Sequence, residues 1–454
     1  MTAPRAEPPI GTPASWRLAA AVLLLGGVAA GAALAASPLA VWLSIAVTVA
    51  AVGLAAPLAW AGRRPPIASG VSSPSPRPTA SVLIAARDEA PVIGRLIGDL
   101  ARQDHRAADG TPRFEIIVVD DRSVDGTGAA AQAAATSAGV SNHLRVIRRD
   151  GHDLPDGKGA ALTAAQPESC RGEVVVVLDG DARIRPTFLR TLLGYVSAGA
   201  VAVTPRRRTI GANASWLAAA QAVELAQDGV LQRGRWASGG CSEFRGNGIT
   251  VRRNALAAVG GWRADELTED LGLSSRLASQ LGVTVAWAID AVVEEEPAHT
   301  WRSLWRQRLR WAEGSIRRLL EHGDSVLRSP LLSIRARIDF LAYAGQLIAA
   351  PLVAGAIIAA AALGRLAPSA ILIAGYLATG ALLAWVGLGR EAAVDGLTLS
   401  VVNRARGAFR GALFTFIWLF VIPAALLTLA VRRGALRYAK MAHGEAAAAV
   451  AERR

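Results

Sequence analysis

Cysteine is nearly absent from this 454-residue chain, and the two present, Cys170 and Cys241, lack the spacing of metal ligands. A disulfide framework is therefore excluded, and the chain belongs in a reducing compartment or is indifferent to redox state. Histidine is also scarce, at six, and charged residues make up only 19% of the whole. No basic stretch carries a recognisable nucleic-acid-binding motif, so nucleic acid is set aside as a partner. The net charge of +13 is read instead as positive-inside loops and contact with an anionic phospholipid surface. That reading fits a hydrophobic fraction of 52% and a mean hydropathy of +0.32, both high for a soluble protein.

Long apolar runs dominate both ends. After a Pro-rich polar leader (1–15), segments Leu18 to Ala36 and Leu39 to Ala61 are separated only by Ser37-Pro38. Each is long enough to cross a bilayer. A cleavable signal peptide has a shorter apolar core and no second span directly behind it, so the pair is expected to form a transmembrane hairpin (16–62). Arg5 and Arg17 precede the hairpin, Arg63 and Arg64 follow it, and its connector is uncharged, which places both ends in the cytoplasm. Residues 63–78 form a Pro/Ser/Gly-rich linker. Three further apolar stretches, about Phe340 to Leu363, Pro368 to Leu388 and Ala412 to Ala430, make up a second membrane region (336–432) ahead of a basic tail (433–454). Two spans before and three after the central region leave that tail outside. Either it is an exception to the charge rule or one segment is re-entrant or interfacial.

Between the membrane regions, residues 79–299 alternate short β-rich runs with helical periodicity, the pattern of an α/β domain. Strands are expected at Ser81 to Ala85, Phe114 to Val119, Leu144 to Ile147, Glu173 onward and Ala200 to Thr204. Helices are expected with Ile93, Leu96, Ile97 and Leu100 on one face, from Thr127, from Pro186, and from an Asn213 cap to Gln232. Residues 300–335 change character: Trp301, Trp305 and Trp311 lie among six arginines, as in an amphipathic helix resting in the headgroup layer.

The chemistry is concentrated at strand ends. The run Glu173 to Asp181, EVVVVLDGD, is a buried strand ending in Asp179 and Asp181, a carboxylate pair that can hold a hard divalent cation whose shell is completed by phosphate oxygens. Asp88 and Glu89 follow the first strand, and Asp120 and Asp121 end the second. Such groups can accept hydrogen bonds from a base imide and ribose hydroxyls, or cap the next helix. Lys158, between two glycines, is a cation suited to a phosphate. Asn247 and Gly248 stand in a glycine-containing run that either lets the backbone approach a sugar or simply makes a turn. In Thr268-Glu269-Asp270, Asp270 begins a helix, whose dipole is expected to favour its ionised, basic form.

In order, Asp120-Asp121, Asp179-Gly180-Asp181, Thr268-Glu269-Asp270 and the run Gln307, Arg308, Leu309, Arg310, Trp311 resemble the motif set of membrane-embedded glycosyltransferase family 2. The resemblance covers roughly Thr79 to His322. It implies a GT-A-like nucleotide-sugar-binding α/β domain with a mixed, mainly parallel sheet, cytoplasmic and joined to helical spans of a bacterial-type plasma membrane. It further implies a UDP-sugar donor, Mg²⁺ or Mn²⁺, and inversion at the anomeric carbon. Carried over, Asp88 or Glu89 and Asp121 contact uridine, with Asp120 also in the donor region, while Asp179 and Asp181 serve the ribose and metal-bound diphosphate. Lys158 adds a positive contact, and Asp270 is the base. Gln307, Arg310 and Trp311 close over the diphosphate and acceptor, and Asn247, Gly248 and Glu269 belong to the acceptor region. The wording around Arg245-Gly-Asn-Gly and Arg-Trp-Ala-Glu-Gly looks like bacterial diacylglycerol glucosyltransferases, and the Ala-rich spans lack the wet lining of a polymer channel. A membrane lipid is therefore the expected acceptor. A processive polysaccharide synthase, and a non-catalytic nucleotide-sugar-binding membrane protein, are the alternatives.

Overall fold

The computed structural model describes residues 12–63, 77–151 and 154–432. The expected leader and linker lie almost entirely outside these residues, and the basic tail wholly so. One sheet positions the site. It contains β1 (Ala80–Ala86), β2 (Phe114–Asp121), β3 (Leu144–Arg149), β4 (Val174–Asp179), β5 (Arg183–Ile184), β6 (Ala202–Thr209), β7 (Ile249–Arg252) and β8 (Ala286–Glu295), in the order β3-β2-β1-β4-β7-β6-β8-β5. The first four strands pair in parallel, as do β6 and β8; β7 and β5 run antiparallel to their neighbours.

Val174 to Leu178 are fully buried because helices cover both faces of the sheet. Side chains alternate across the pleat, so Val176 packs with α3 (Ala90–Ala101) and α6 (Phe188–Ser197), and Val175 and Val177 with α5 (Lys158–Leu162), α8 (Arg253–Ala258) and α9 (Glu269–Leu281). Each such valine contributes roughly 1.5–3 kcal/mol over exposure. The register sets Ala86 opposite Asp120 and Ala85 opposite Asp179, which brings the carboxyl ends of β1, β2 and β4 to one edge.

Helix α4 (Thr127–Ser137) begins at the expected Thr127. Three other boundaries differ from the sequence reading. Helix α7 (Trp216–Ala237) is capped by Ser215, whose extended backbone lets its hydroxyl accept from the Ala218 amide at 3.0 Å, while Asn213 lies in the preceding turn. α6 starts at Phe188 rather than Pro186, whose carbonyl accepts from the Asp104 amide at 3.0 Å. β6 continues through Pro205 to Thr209, with a register shift against β8 at that proline.

Five helical stretches are long and apolar enough to cross a membrane among the described residues: Ala14–Ala36, Ala40–Ala61, Ile334–Ala362, Leu366–Val394 and Val401–Val431. The first two are α1 and α2. Ahead of the others comes α10 (Trp301–Arg328). The third stretch is built of α11 (Ile334–Ala344) and α12 (Gln346–Ala362), the fourth is α13 (Leu366–Val394), and the last joins α14 (Val401–Thr415) to α15 (Trp418–Val431). The third begins earlier than its apolar core because Asp339 faces the domain, accepting from Arg235 Nε and the Cys241 amide, both at 2.9 Å. α7 packs against α2, α13 and α14 and so fixes the α/β domain to the spans.

Candidate active site

A cavity of about 650 Å³ lies at the carboxyl edge of the sheet and continues between the long apolar helices. Strand ends and helix starts supply its polar wall. β1 leads to Glu89, β2 ends in Asp121, α5 begins with Lys158, β4 ends in Asp179 with Asp181 two residues on, and α9 opens with Glu269 and Asp270. Gln307, Arg310 and Trp311 come from α10, and Asn247 from the loop before β7.

Lys158 is the cation at the centre. Its Nζ lies 2.5 Å from Asp179 Oδ1, 3.1 Å from the Gly246 carbonyl and 3.6 Å from Glu269 Oε1. Burial alone would depress this ammonium, but Asp179 and Glu269 outweigh it and hold it above its usual value. Asn247 fixes the neighbouring backbone by accepting from the Asp179 amide at 3.2 Å. Gly180, between the two aspartates, lets the Glu89 carboxylate pack against the chain: a Cβ there would lie 1.7 Å from Glu89 Oε2 and displace it.

Burial pushes both Glu269 and Asp270 above the ordinary carboxylate range, Glu269 to about 7, against the opposing pull of Lys158. The helix start acts on Asp270 in the expected direction, though not alone. The Leu271 amide does favour the ionised form, as do Arg245, Lys158 and Arg207, but the loss of water outweighs them. What exposure Asp270 retains is to this cavity, whose wall it forms.

Trp311 is held from two sides, with Arg308 Cζ 4.1 Å and Arg207 Cζ 5.5 Å from its ring centre. Arg308 is in turn paired with Glu224 of α7, its Nε 3.3 Å from Oε1, and the same oxygen accepts from Trp418 Nε1 of α15 at 2.9 Å. α10 packs closely over the start of α9: Gly314 leaves room for Thr268, whose Cγ2 would lie 2.2 Å from a Cβ at that position. Trp301, Arg302, Trp305 and Arg306 share the exposed face of the same helix.

Three expected site residues stand apart from the cavity wall. Asp88 turns back to accept from the Val124 amide at 2.8 Å. Asp120 pairs with Arg148 at 2.7 Å and accepts from the Ser123 and Gly128 amides, so it braces the start of α4. Gly248, at φ +82°, closes against Pro205. Asp121 does reach the cavity, held there by Arg149 at 2.7 Å and Arg122 at 3.0 Å.

Arg207, Glu224, Asp228, Glu295 and Tyr343 also line the cavity and were not singled out from sequence, and Arg245, noted there only within its Arg-Gly-Asn-Gly run, lines it too. Arg245 pairs with Asp228 at 2.9 Å and donates to Tyr343 Oη at 2.5 Å. A strand assignment for β8 would have exposed Glu295, because the rule that placed Asp179 at a strand end applies to it equally.

Among the described residues no group of three or more His, Cys, Asp or Glu side chains is disposed to cage a metal ion. Asp179 and Asp181 instead present a carboxylate pair to an open cavity, the donor set of a hard cation that shares its shell with phosphate and water.

Residues 76–314 match the family model described as glycosyltransferase like family 2. A beta-monoglucosyldiacylglycerol synthase of Synechocystis sp. is 30% identical over 390 residues, covering 84% of this chain and 78% of that protein. A poly-beta-1,6-N-acetyl-D-glucosamine synthase of Staphylococcus epidermidis is 28% identical over 242 residues, about half of each chain (49% and 52%). Among solved structures, a mannosyltransferase from Pyrobaculum calidifontis in complex with GDP-Man and Mn²⁺ superposes with a TM-score of 0.56 at 22% identity, over 85% of this chain and 98% of that one, which establishes a shared GT-A-like fold. With an acidic, cation-centred cavity at the end of such a sheet, the chain belongs to glycosyltransferase family 2.

Proposed function

We propose that the protein transfers a single sugar, with inversion, from a UDP-sugar to the hydroxyl of a two-chain membrane lipid at the cytoplasmic face of a plasma membrane. The observation that carries the acceptor is the composition of the cavity. Beyond the acidic cluster its wall passes through Thr48, Ala350, Val353, Leu372, Tyr376 and Ile422, and no charged side chain comes from the spanning helices that line it. Hydrocarbon chains suit such a wall, whereas a hydrated polymer does not. The similarity to a diacylglycerol glucosyltransferase supports the same acceptor and a glucosyl donor.

The mechanism follows from the side chains. Asp270 accepts the proton of the lipid hydroxyl as its oxygen attacks the anomeric carbon, and the bond to the diphosphate breaks on the opposite face, so one displacement inverts the centre. A carboxyl raised by burial is a stronger base than an ordinary aspartate, which suits this work. Lys158 and Arg310 stabilise the charge that develops on the leaving UDP. Asp179 and Asp181 would hold Mg²⁺ or Mn²⁺, which when bound supplies Lewis-acid charge to the diphosphate. Trp311, fixed by Arg207 and Arg308, closes the site over donor and acceptor. The exposed Trp301, Arg302, Trp305 and Arg306 rest α10 on anionic headgroups.

Membranes containing the protein, given labelled UDP-glucose and Mg²⁺ or Mn²⁺, are expected to place the label in organic-extractable lipid. Label found entirely in high-molecular-weight aqueous material would replace this reading with polymer synthesis.

A further inference from the structure

Where the cavity runs between the apolar helices, three of its lining residues are solvent-exposed: Ala51 of α2, and Gln346 and Ala349 of α12. From them the wall leads inward through half-buried Val47 and Thr48 and buried Ala350 and Val353. α2 packs chiefly along α13, and α12 chiefly along α1, so the seam between α2 and α12 is left for the cavity to open into.

The chemistry of this opening is graded. Its walls are alanine and valine, with one amide, Gln346, at the rim. Gln346 follows the junction of α11 and α12, three residues from Tyr343, the phenol that accepts from Arg245. Gln346 therefore stands where apolar helix meets the charged network beside Asp270. Small side chains at Ala51 and Ala349 leave room for chains to pass, and a larger one at either position would narrow the seam.

We infer that the α2/α12 seam is a lateral port through which a lipid alcohol with two hydrocarbon chains slides from the bilayer to Asp270, its chains remaining between the helices while Gln346 meets the polar head. This rests on the lipid-acceptor reading above and adds the route, the helices that form it and the residue at its rim.

The port is tested on the full chain in phospholipid nanodiscs containing diacylglycerol with a diazirine near one acyl terminus. Irradiation is expected to label α2 between Val47 and Ala51 and α12 between Gln346 and Val353, and excess unlabelled diacylglycerol should suppress it. Labelling confined to the outer face of α1, at Leu18, Val22 and Leu25, would overturn the port without any substitution. In parallel, Ala51→Trp and Ala349→Trp should lower kcat/KM for diacylglycerol by about tenfold or more, since misplacing a reacting group alone has effects of that order. UDP binding should be retained, and Val49→Trp, on the exposed face of α2 outside the cavity, should be neutral. If the wild type makes glycolipid and both tryptophan variants match it, the port is refuted and the acceptor stands. If the wild type makes only aqueous polymer, the acceptor reading fails and takes the port with it.

Discussion

Replacing Glu224 by alanine removes the anion that holds Arg308 beneath the cavity. Arg308 is 1% exposed, and at the 3.3 Å between its Nε and Glu224 Oε1 two unit charges attract by about 5 kcal/mol at an effective dielectric of about 20. Breaking a buried pair from one side typically costs about 3–5 kcal/mol, because the remaining charge is left without a partner. Loss of the acceptor for the Trp418 indole adds about 1 kcal/mol. Thermal unfolding in detergent should therefore fall by roughly ten degrees or more, taking about 2–4 °C per kcal/mol for a domain of this size. Arg308→Met added to Glu224→Ala removes the stranded charge and should recover most of the loss, so the double variant should be more stable than the single. Transfer activity should fall in both, since each releases Trp311 from the 4.1 Å contact with Arg308. A Glu224→Ala protein with unchanged melting, or a double variant no more stable than the single, would refute the idea that this pair braces α10.

Asp270→Asn should lower kcat by about 10²–10⁴, the usual range for general-base removal, while UDP-sugar binding measured by calorimetry stays near wild type. A base works only when unprotonated, and burial raises Asp270, so the rate should fall with decreasing pH at a higher pH than an ordinary aspartate would set and recover above it. Arg245→Gln removes a cation that favours ionised Asp270 and should move that limb to higher pH, whereas a wild-type rate that stays flat down to the ordinary carboxylate range would contradict the assignment. Chelation should abolish transfer, and Mn²⁺ or Mg²⁺ should restore it in the wild type but not in Asp181→Asn. Transfer that survives chelation would remove the metal from the reaction.

The parallel half of the domain was legible because its strands are short β-branched runs buried on both faces, and because carboxylates stand where those runs end. Asp179, Asp181 and Asp121 were found in that way. The other half was not, for reasons visible in its contacts. β6 reads as ending at Pro205, yet it carries Arg206, Arg207 and Arg208 onward because acids remote in sequence pair with them: Arg206 lies 2.5 Å from Asp395, Arg207 3.4 Å from Glu295, and Arg208 3.6 Å from Glu294. Local propensity carries no record of such partners. Asp120 and Asp121 show the finer limit. They are adjacent in one strand and identical in type, but the pleat turns one toward the cavity and gives the other to Arg148 and the start of α4. The net effect at Asp270 has the same origin, since the dipole of a helix start is read from sequence and the burial that outweighs it is not.

The account depends on one cavity serving both an acidic sugar-transfer centre and the hydrocarbon of a membrane lipid. Expression in a host that lacks glycolipids, followed by mass spectrometry of its extracted lipids, tests this most directly. The predicted result is a new lipid species heavier by one hexose, present with the wild type and absent with Asp270→Asn. A wild-type host whose lipids are unchanged, with polysaccharide accumulating in its place, would contradict it.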